Sequence, residues 1–483
     1  MEPRPDLPPA PAPHRFDPID AGPLDHGDVE ATRARSVDEL REEGRAARQR
    51  VPRRDLGGWA PADDRLDPVE VLRAEGADRL PAIAPIRLGR MAVDPFAFLR
   101  GGAGIFAADV APLATSGIGV WACGDAHLAN FGLFATTERN LVFDINDFDE
   151  AHPGAWEWDL RRLAASLVVA ARVNGQGEAA GREAAGAAVR AYARRCDELA
   201  QLSGLERRYL RLDVDDVLAL ARSSGLSKGG VARAEQQVER ARRRDRFHAL
   251  GRFTEVRDGR RVLVEAPPLV QRLPPDRFRE ALLELWDEYR ASVPPHVGAL
   301  LEQYRFVDLA LKVVGVGSVG TRAAVVLLSG VVGDDPLFLQ IKETGRSVLQ
   351  PWATVPGPDH AGRRVVEGQR LLQAAGDLFL GWGAAGGREY YVRQLRDMKG
   401  GIDLVALRPA GFVRYAGLCA TALAQAHGRT AHPARIAGYL GRGEPAVEAL
   451  TAFAVAYADQ TERDHAALVE AIRRGRIEAI EGV

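Results

Sequence analysis

Two short segments carry residue types suited to metal and phosphoryl chemistry. In GDAHLANFG (124–132), Asp125 and Asn130 stand five residues apart. An Asp can orient a hydroxyl and take its proton, and an Asn side-chain oxygen is a hard, neutral metal ligand. Some fifteen residues on, NLVFDINDFDE (140–150) ends an apolar strand in acids, among them Asp144, Asp147, Asp149 and Glu150. Mg2+ takes octahedral oxygen ligands and keeps waters, so one carboxylate, one amide oxygen and substrate phosphates make a sufficient set. Asp144 and Asp147 fall on opposite faces of a strand of period two. Both are candidate metal ligands, with Asp147 favoured because the chain can turn at the strand end. His127 either contacts phosphate or braces its loop.

A second constellation lies far downstream. VGVGSVGTRAAVVLL (314–328) holds Gly315, Gly317 and Gly320 in a G-x-G-x-x-G pattern, with Ser318 between them. A dinucleotide loop of this type opens a helix. Here TRAAVVLLSG is β-branched and reads as a strand, so the loop joins two strands and its backbone can cover phosphates. The next strand, PLFLQIKE, carries Lys342. The chain has four lysines (Lys228, Lys312, Lys342, Lys399) against 60 arginines, and four asparagines (Asn130, Asn140, Asn146, Asn174). Such a bias follows from a GC-rich genome, and it marks a surviving Lys or Asn as a position where no substitute works. Arg87, Arg90 and Arg100, ahead of the Asp125 loop, are candidate contacts for an anionic substrate.

The elements that must position these residues fall in a definite order. The chain has 483 residues, enough for two to three domains at roughly 150 residues each. Residues 1–50 form an extension whose first part is Pro-rich and aperiodic, followed by a polar helix capped by Ser36 with Glu39 three residues on. Residues 51–305 read as a helical block interrupted by the two acidic segments, 306–400 as a β-rich block with one helix at 360–376, and 401–483 as helices again. The net charge of −2 gives no general attraction to nucleic acid, and the Arg-rich helix VERARRRDRFHALGRF (238–253) reads as a solvated face. Three scattered cysteines form neither a metal pattern nor a disulfide framework. No apolar run reaches the ~18 residues of a membrane helix, and a cytoplasmic location is expected.

Together these pieces resemble the protein-kinase-like fold, closer to aminoglycoside and choline kinases than to protein kinases, with Cys123-Gly124-Asp125 where those enzymes have His-Gly-Asp. The resemblance implies an α+β, two-lobed fold with a mostly helical large lobe and a small β-rich lobe. It implies ATP and Mg2+ as cofactors, Asp125 as base, Asn130 and Asp147 as Mg2+ ligands, and Lys342 paired with Glu367 on the next helix. Because the Gly loop follows the catalytic loop by some 190 residues, the fold must be circularly permuted, with YAGLCATALAQAHG (415–428) as the helix that would lead into the catalytic loop. Over nearly its full length the chain also resembles an uncharacterised bacterial family, domain of unknown function 2252, through PIRLGRMAVDPFAFLRGGA, CGDAHLANFG, FDINDFDEAHPGAWEWDLRRLAAS and YADQTERDHAAL. The expected activity is an ATP-dependent phosphotransferase with a small-molecule acceptor. Nucleotidyl transfer on the same scaffold and a non-catalytic nucleotide-binding protein are the alternatives.

Overall fold

The computed structural model describes residues 35–223, 228–243, 246–273, 275–313, 319–331, 335–395 and 400–482. Within them the chain is α+β, mostly helix with small antiparallel sheets. The strands are β1 (Gly119–Ala122), β2 (Phe131–Ala135), β3 (Leu141–Ile145), β4 (His152–Ala155), β5 (Thr254–Arg257), β6 (Arg260–Leu263), β7 (Val270–Arg272), β8 (Arg305–Lys312), β9 (Ala323–Ser329), β10 (Pro336–Thr344), β11 (Gly381–Ala385) and β12 (Arg388–Gln394). The last six form one sheet in the order β11-β12-β10-β9-β8-β7.

Strand parity explains how this sheet presents Lys342. Leu337, Leu339 and Ile341 of β10 point to one face, where they pack with Leu285 and Tyr289 of the helix Pro275–Ser292. Phe338 points to the other face, against Ala249 and Leu250. By the period of two, Gln340 and Lys342 share the Phe338 face. Both faces are covered, so β10 is buried almost throughout, Gln340 and Lys342 included. The sheet and its covering helix begin before residue 306. β7, the helix Pro275–Ser292 and the start of β8 all precede that expected boundary, because the apolar face of the helix is spent on the sheet.

Two hairpins close on paired left-handed residues. Gly386 and Gly387 (φ +56° and +71°) join β11 to β12, and Asp258 and Gly259 (φ +52° and +73°) join β5 to β6. Such turns need positive φ at both central positions, which Gly and Asp tolerate.

The remaining mass is helical. Trp156–Val173 is buried from Trp156 to Ala171, its polar side chains Glu157, Asp159, Arg161, Arg162 and Ser166 included. It packs with Gly177–Leu199 and Glu444–Arg473, and these enclose the largest core together with Pro409–Thr430. Earlier in the chain, Val37–Arg50 starts with the Ser36–Glu39 capping box. Short helices Pro68–Gly76, Ala84–Met91, Pro95–Gly101 and Ala103–Val110 pack on one another and on Glu444–Arg473, and in the loop between the first two Leu80 N donates to Gly320 O at 2.8 Å. Among the described residues no helix is long and apolar enough to cross a membrane.

Candidate active site

One helix face holds the Asp125 loop. Asp159, Arg162 and Ser166 lie three and four residues apart on Trp156–Val173, a spacing that aligns them. Asp159 accepts from Cys123 N (2.7 Å) and Gly124 N (2.9 Å). Arg162 donates through Nε (2.9 Å) and Nη2 (2.7 Å) to Asp125 Oδ1. Ser166 Oγ accepts from Leu128 N (2.9 Å). Behind Asp159, His427 Nε2 sits 3.0 Å away and its Nδ1 is 2.7 Å from the Tyr192 hydroxyl. A proton order that satisfies all three groups has Tyr192 donating to His427 and His427 donating to Asp159. Gly124 adopts φ +79°, and a Cβ there would lie 2.3 Å from Glu150 O, so only glycine fits.

The loop faces a polar cleft of about 640 Å³. Burial pushes the Asp125 carboxyl up from its ordinary pKa, against the opposing charge of Arg162. His127 is buried, with Nε2 3.6 Å from Asp125 Oδ2 and Nδ1 without a partner. Burial, with Arg100 and Arg162 nearby, holds its pKa well below the usual range, so the ring is neutral at pH 7. Asn130 Nδ2 donates to Asp125 O (2.9 Å). That bond turns an amide hydrogen inward and leaves the side-chain oxygen as the atom suited to a cation.

The acidic segment divides its roles. Asp147 lines the cleft with its side chain 39% exposed. Loss of surrounding water and the neighbouring Asp149 carboxylate raise its pKa, against Lys342. Asp144 does not share this position. It is buried in β3, where it accepts from Ile145 N (2.9 Å) and Ala374 N (3.0 Å) and lies 3.6 Å from Arg429. These contacts make it a strut between the β2–β3 hairpin and the residues after helix Ala361–Leu372, away from the residues that line the cleft, and remove it from the candidate metal set.

Lys342 reaches this segment from 193 residues away and donates to Asp149 Oδ2, with Asp147 Oδ1 at 4.0 Å. Tyr391, opposite it on β12, donates to Asp149 Oδ1 at 2.7 Å. Burial works against the Asp149 charge, but Lys342 and the Tyr391 hydroxyl hold its carboxyl well below the ordinary range. Burial likewise disfavours charge on Lys342, and the two carboxylates outweigh it and raise its pKa. Glu367 is not its partner. On helix Ala361–Leu372 the inward position is Arg364, which donates to Ala151 O, Asp149 O and Gly345 O. Glu367 turns outward and accepts from Arg363 at 2.6 Å.

Of the glycine motif, Gly315, Gly317 and Ser318 lie outside the described residues. Gly320 has φ +92° and packs against Arg79. Thr321, next along, lines the cleft. Arg87 is buried and committed to Glu75 and to Gly101 O (2.7 Å). Arg100 lines the cleft, and Arg90 is not among its lining residues. Arg162, Arg364, Glu75, Arg346 and Arg388 also build or line the site. In a chain with 60 arginines nothing in the sequence distinguishes the arginines that do so. Among the described residues, no three His, Cys, Asp or Glu side chains are placed to hold a metal by themselves.

Residues 79–471 match the family described as an uncharacterised protein conserved in bacteria (DUF2252), and the chain belongs to that family. No curated protein and no solved structure matches it.

Proposed function

We propose that this family member is an ATP- and Mg2+-dependent phosphotransferase acting on a small-molecule acceptor, on a circularly permuted, two-lobed, protein-kinase-like fold. The observation that carries this reading is the contact of buried Lys342 with Asp149, which together with Asp147, Asp125 and Asn130 lines the cleft, although 193 residues separate Lys342 from Asp149. Three features of the chain path support it. The strands flanking the glycine motif, β8 and β9, pair with each other, and Lys342 sits on the strand after them. The following helix, Ala361–Leu372, packs beside the acidic segment, and β12 returns to pair with the Lys342 strand. The C-terminal end of helix Pro409–Thr430 meets β1, which leads into the Asp125 loop: Thr430 Oγ1 accepts from Trp121 N at 3.1 Å. A chain continuous at that point would run in the unpermuted order.

The residues divide the work by charge. Lys342 is a compact cation with three donors, suited to nucleotide phosphates. Asn130 Oδ1 and Asp147 would hold Mg2+ together with those phosphates, and the metal would offset charge on the transferred group. Asp125, fixed by Arg162, orients the acceptor hydroxyl and receives its proton as that oxygen bonds to the γ-phosphorus and the bond from the γ-phosphorus to the bridging oxygen breaks, releasing ADP. No substrate peptide groove is called for, since Asp147 passes directly into β4 and helix Trp156–Val173.

Lys342→Ala should lower Mg-ATP binding and turnover by at least ~100-fold. Asp125→Asn should keep ATP binding and lose transfer by ~10²–10⁴-fold. Both are read by calorimetry and by nucleotide analysis over a panel of acceptors. ADP as product supports phosphoryl transfer, whereas AMP with pyrophosphate would replace it with nucleotidyl transfer. Full turnover in Lys342→Ala would sink the reading.

A further inference from the structure

The Asp125 end of the cleft holds a guanidinium that bonds to no carboxylate among the described residues. Asp125 Oδ1 takes both Arg162 contacts, and Oδ2 faces only the neutral His127 ring at 3.6 Å. Arg100, in the last turn of Pro95–Gly101, lines the same wall, close enough for its charge to act on Asp125 and His127. Yet among the described residues it forms no side-chain hydrogen bond and no ion pair within 4 Å, and its Nε is buried without a partner. The carboxylates around it are engaged elsewhere. Asp94 caps its own helix at Ala97 N (2.7 Å), Glu75 holds Arg87, and Glu343 takes Arg322 and Arg388. Of the two guanidinium groups that act on Asp125, only Arg162 bonds to it.

Arg100 is half-buried, and its Nε is sealed from water without a partner, which costs free energy. Its planar fork matches a carboxylate or a phosphate, which can accept two parallel bonds. We propose that Arg100 anchors an oxyanion on the acceptor, a carboxylate or a phosphate, and so holds the acceptor hydroxyl at Asp125. This deepens the phosphotransferase reading and rests on it for the identity of the ligand as acceptor. Arg87 differs in that its guanidinium already pairs with Glu75 and with Gly101 O.

The test uses the full chain saturated with Mg-ADP and titrated by calorimetry with inorganic phosphate and, separately, with acetate. Wild type should bind at least one of these anions at millimolar concentration, and Arg100→Gln should weaken that binding at least tenfold while leaving Mg-ADP affinity unchanged. Preference for phosphate indicates a phosphomonoester acceptor, and preference for acetate a carboxylate one. Arg100→Gln should also melt at or above the wild-type temperature, because the charge it removes had no partner. Absence of anion binding in wild type, equal binding in the variant, a parallel loss of Mg-ADP affinity or a lower melting temperature would each overturn the proposal. If wild type fails to bind Mg-ADP, the phosphotransferase reading falls instead, and the same titrations without nucleotide decide the role of Arg100.

Discussion

Glu150 sits where its own charge is disfavoured. Burial lifts its pKa from the ordinary 4.5 to about 7, with Asp149 and Asp125 adding to the shift and Arg364 and the Val348 N–H (2.8 Å) opposing it. Between those two values the folded protein holds a proton that the unfolded chain has released. This group therefore makes stability fall as pH rises from about 4.5 to about 7. Glu150→Gln keeps an oxygen for Val348 and removes the titration. The variant should match wild type near pH 4.5 and exceed it above pH 7, by at most about 3 kcal/mol and by less where water still reaches the carboxylate. Urea unfolding at pH 5 and pH 8 checks this, and an equal difference at both pH values would refute it. At this scale the sequence was legible where a residue type was rare. Lys342 stood out because the chain has three other lysines, and Asn130 because it has three other asparagines. The partner of Lys342 was not legible, since Glu367 and Asp149 are both acids at plausible distances along the chain. Helix register decided between them by turning Arg364 inward.

Helix Trp156–Val173 acts as a single clamp, with Asp159, Arg162 and Ser166 gripping successive parts of the Asp125 loop. The loop can meet that clamp only if Gly124 turns left-handed against the Glu150 carbonyl. Gly124→Ala should therefore cost about 2 kcal/mol or more, through positive φ and the 2.3 Å approach together, and should displace Asp125. Thermal unfolding and turnover should fall together. A variant with wild-type melting and activity would show that the turn is not required. Elements with strong local signals were readable, such as the Ser36–Glu39 capping box and the apolar β10 run. The β5–β6 and β11–β12 hairpins carried Asp-Gly and Gly-Gly turn signals too, but short strands such as Gly-Trp-Gly-Ala-Ala have little intrinsic β preference. Pairing along β12 makes that segment a strand, and pairing is not a local property.

At the scale of the whole molecule, the sequence order gave no sign that residues 149 and 342 touch. Only the chemistry required it, since acids suited to Mg2+ are of little use without a cation and a phosphate-binding loop opposite them. The same chemistry separates binding of the metal from binding of the nucleotide. On the proposed reading Asp147 and the Asn130 oxygen are two ligands, and no group of three His, Cys, Asp or Glu among the described residues makes a protein-only metal site. On the proposed reading, the nucleotide phosphates supply the remaining oxygens. Millimolar Mg2+ alone should then leave the melting temperature unchanged. Mg-ATP should raise stability by about 2.7 kcal/mol at a hundredfold excess over Kd, and ATP with a chelator by less. Hydrogen exchange should slow at once in 124–149 and in 321–344, because one ligand would bridge both segments. Protection of either segment alone would mean that the two halves of the cleft do not share a nucleotide.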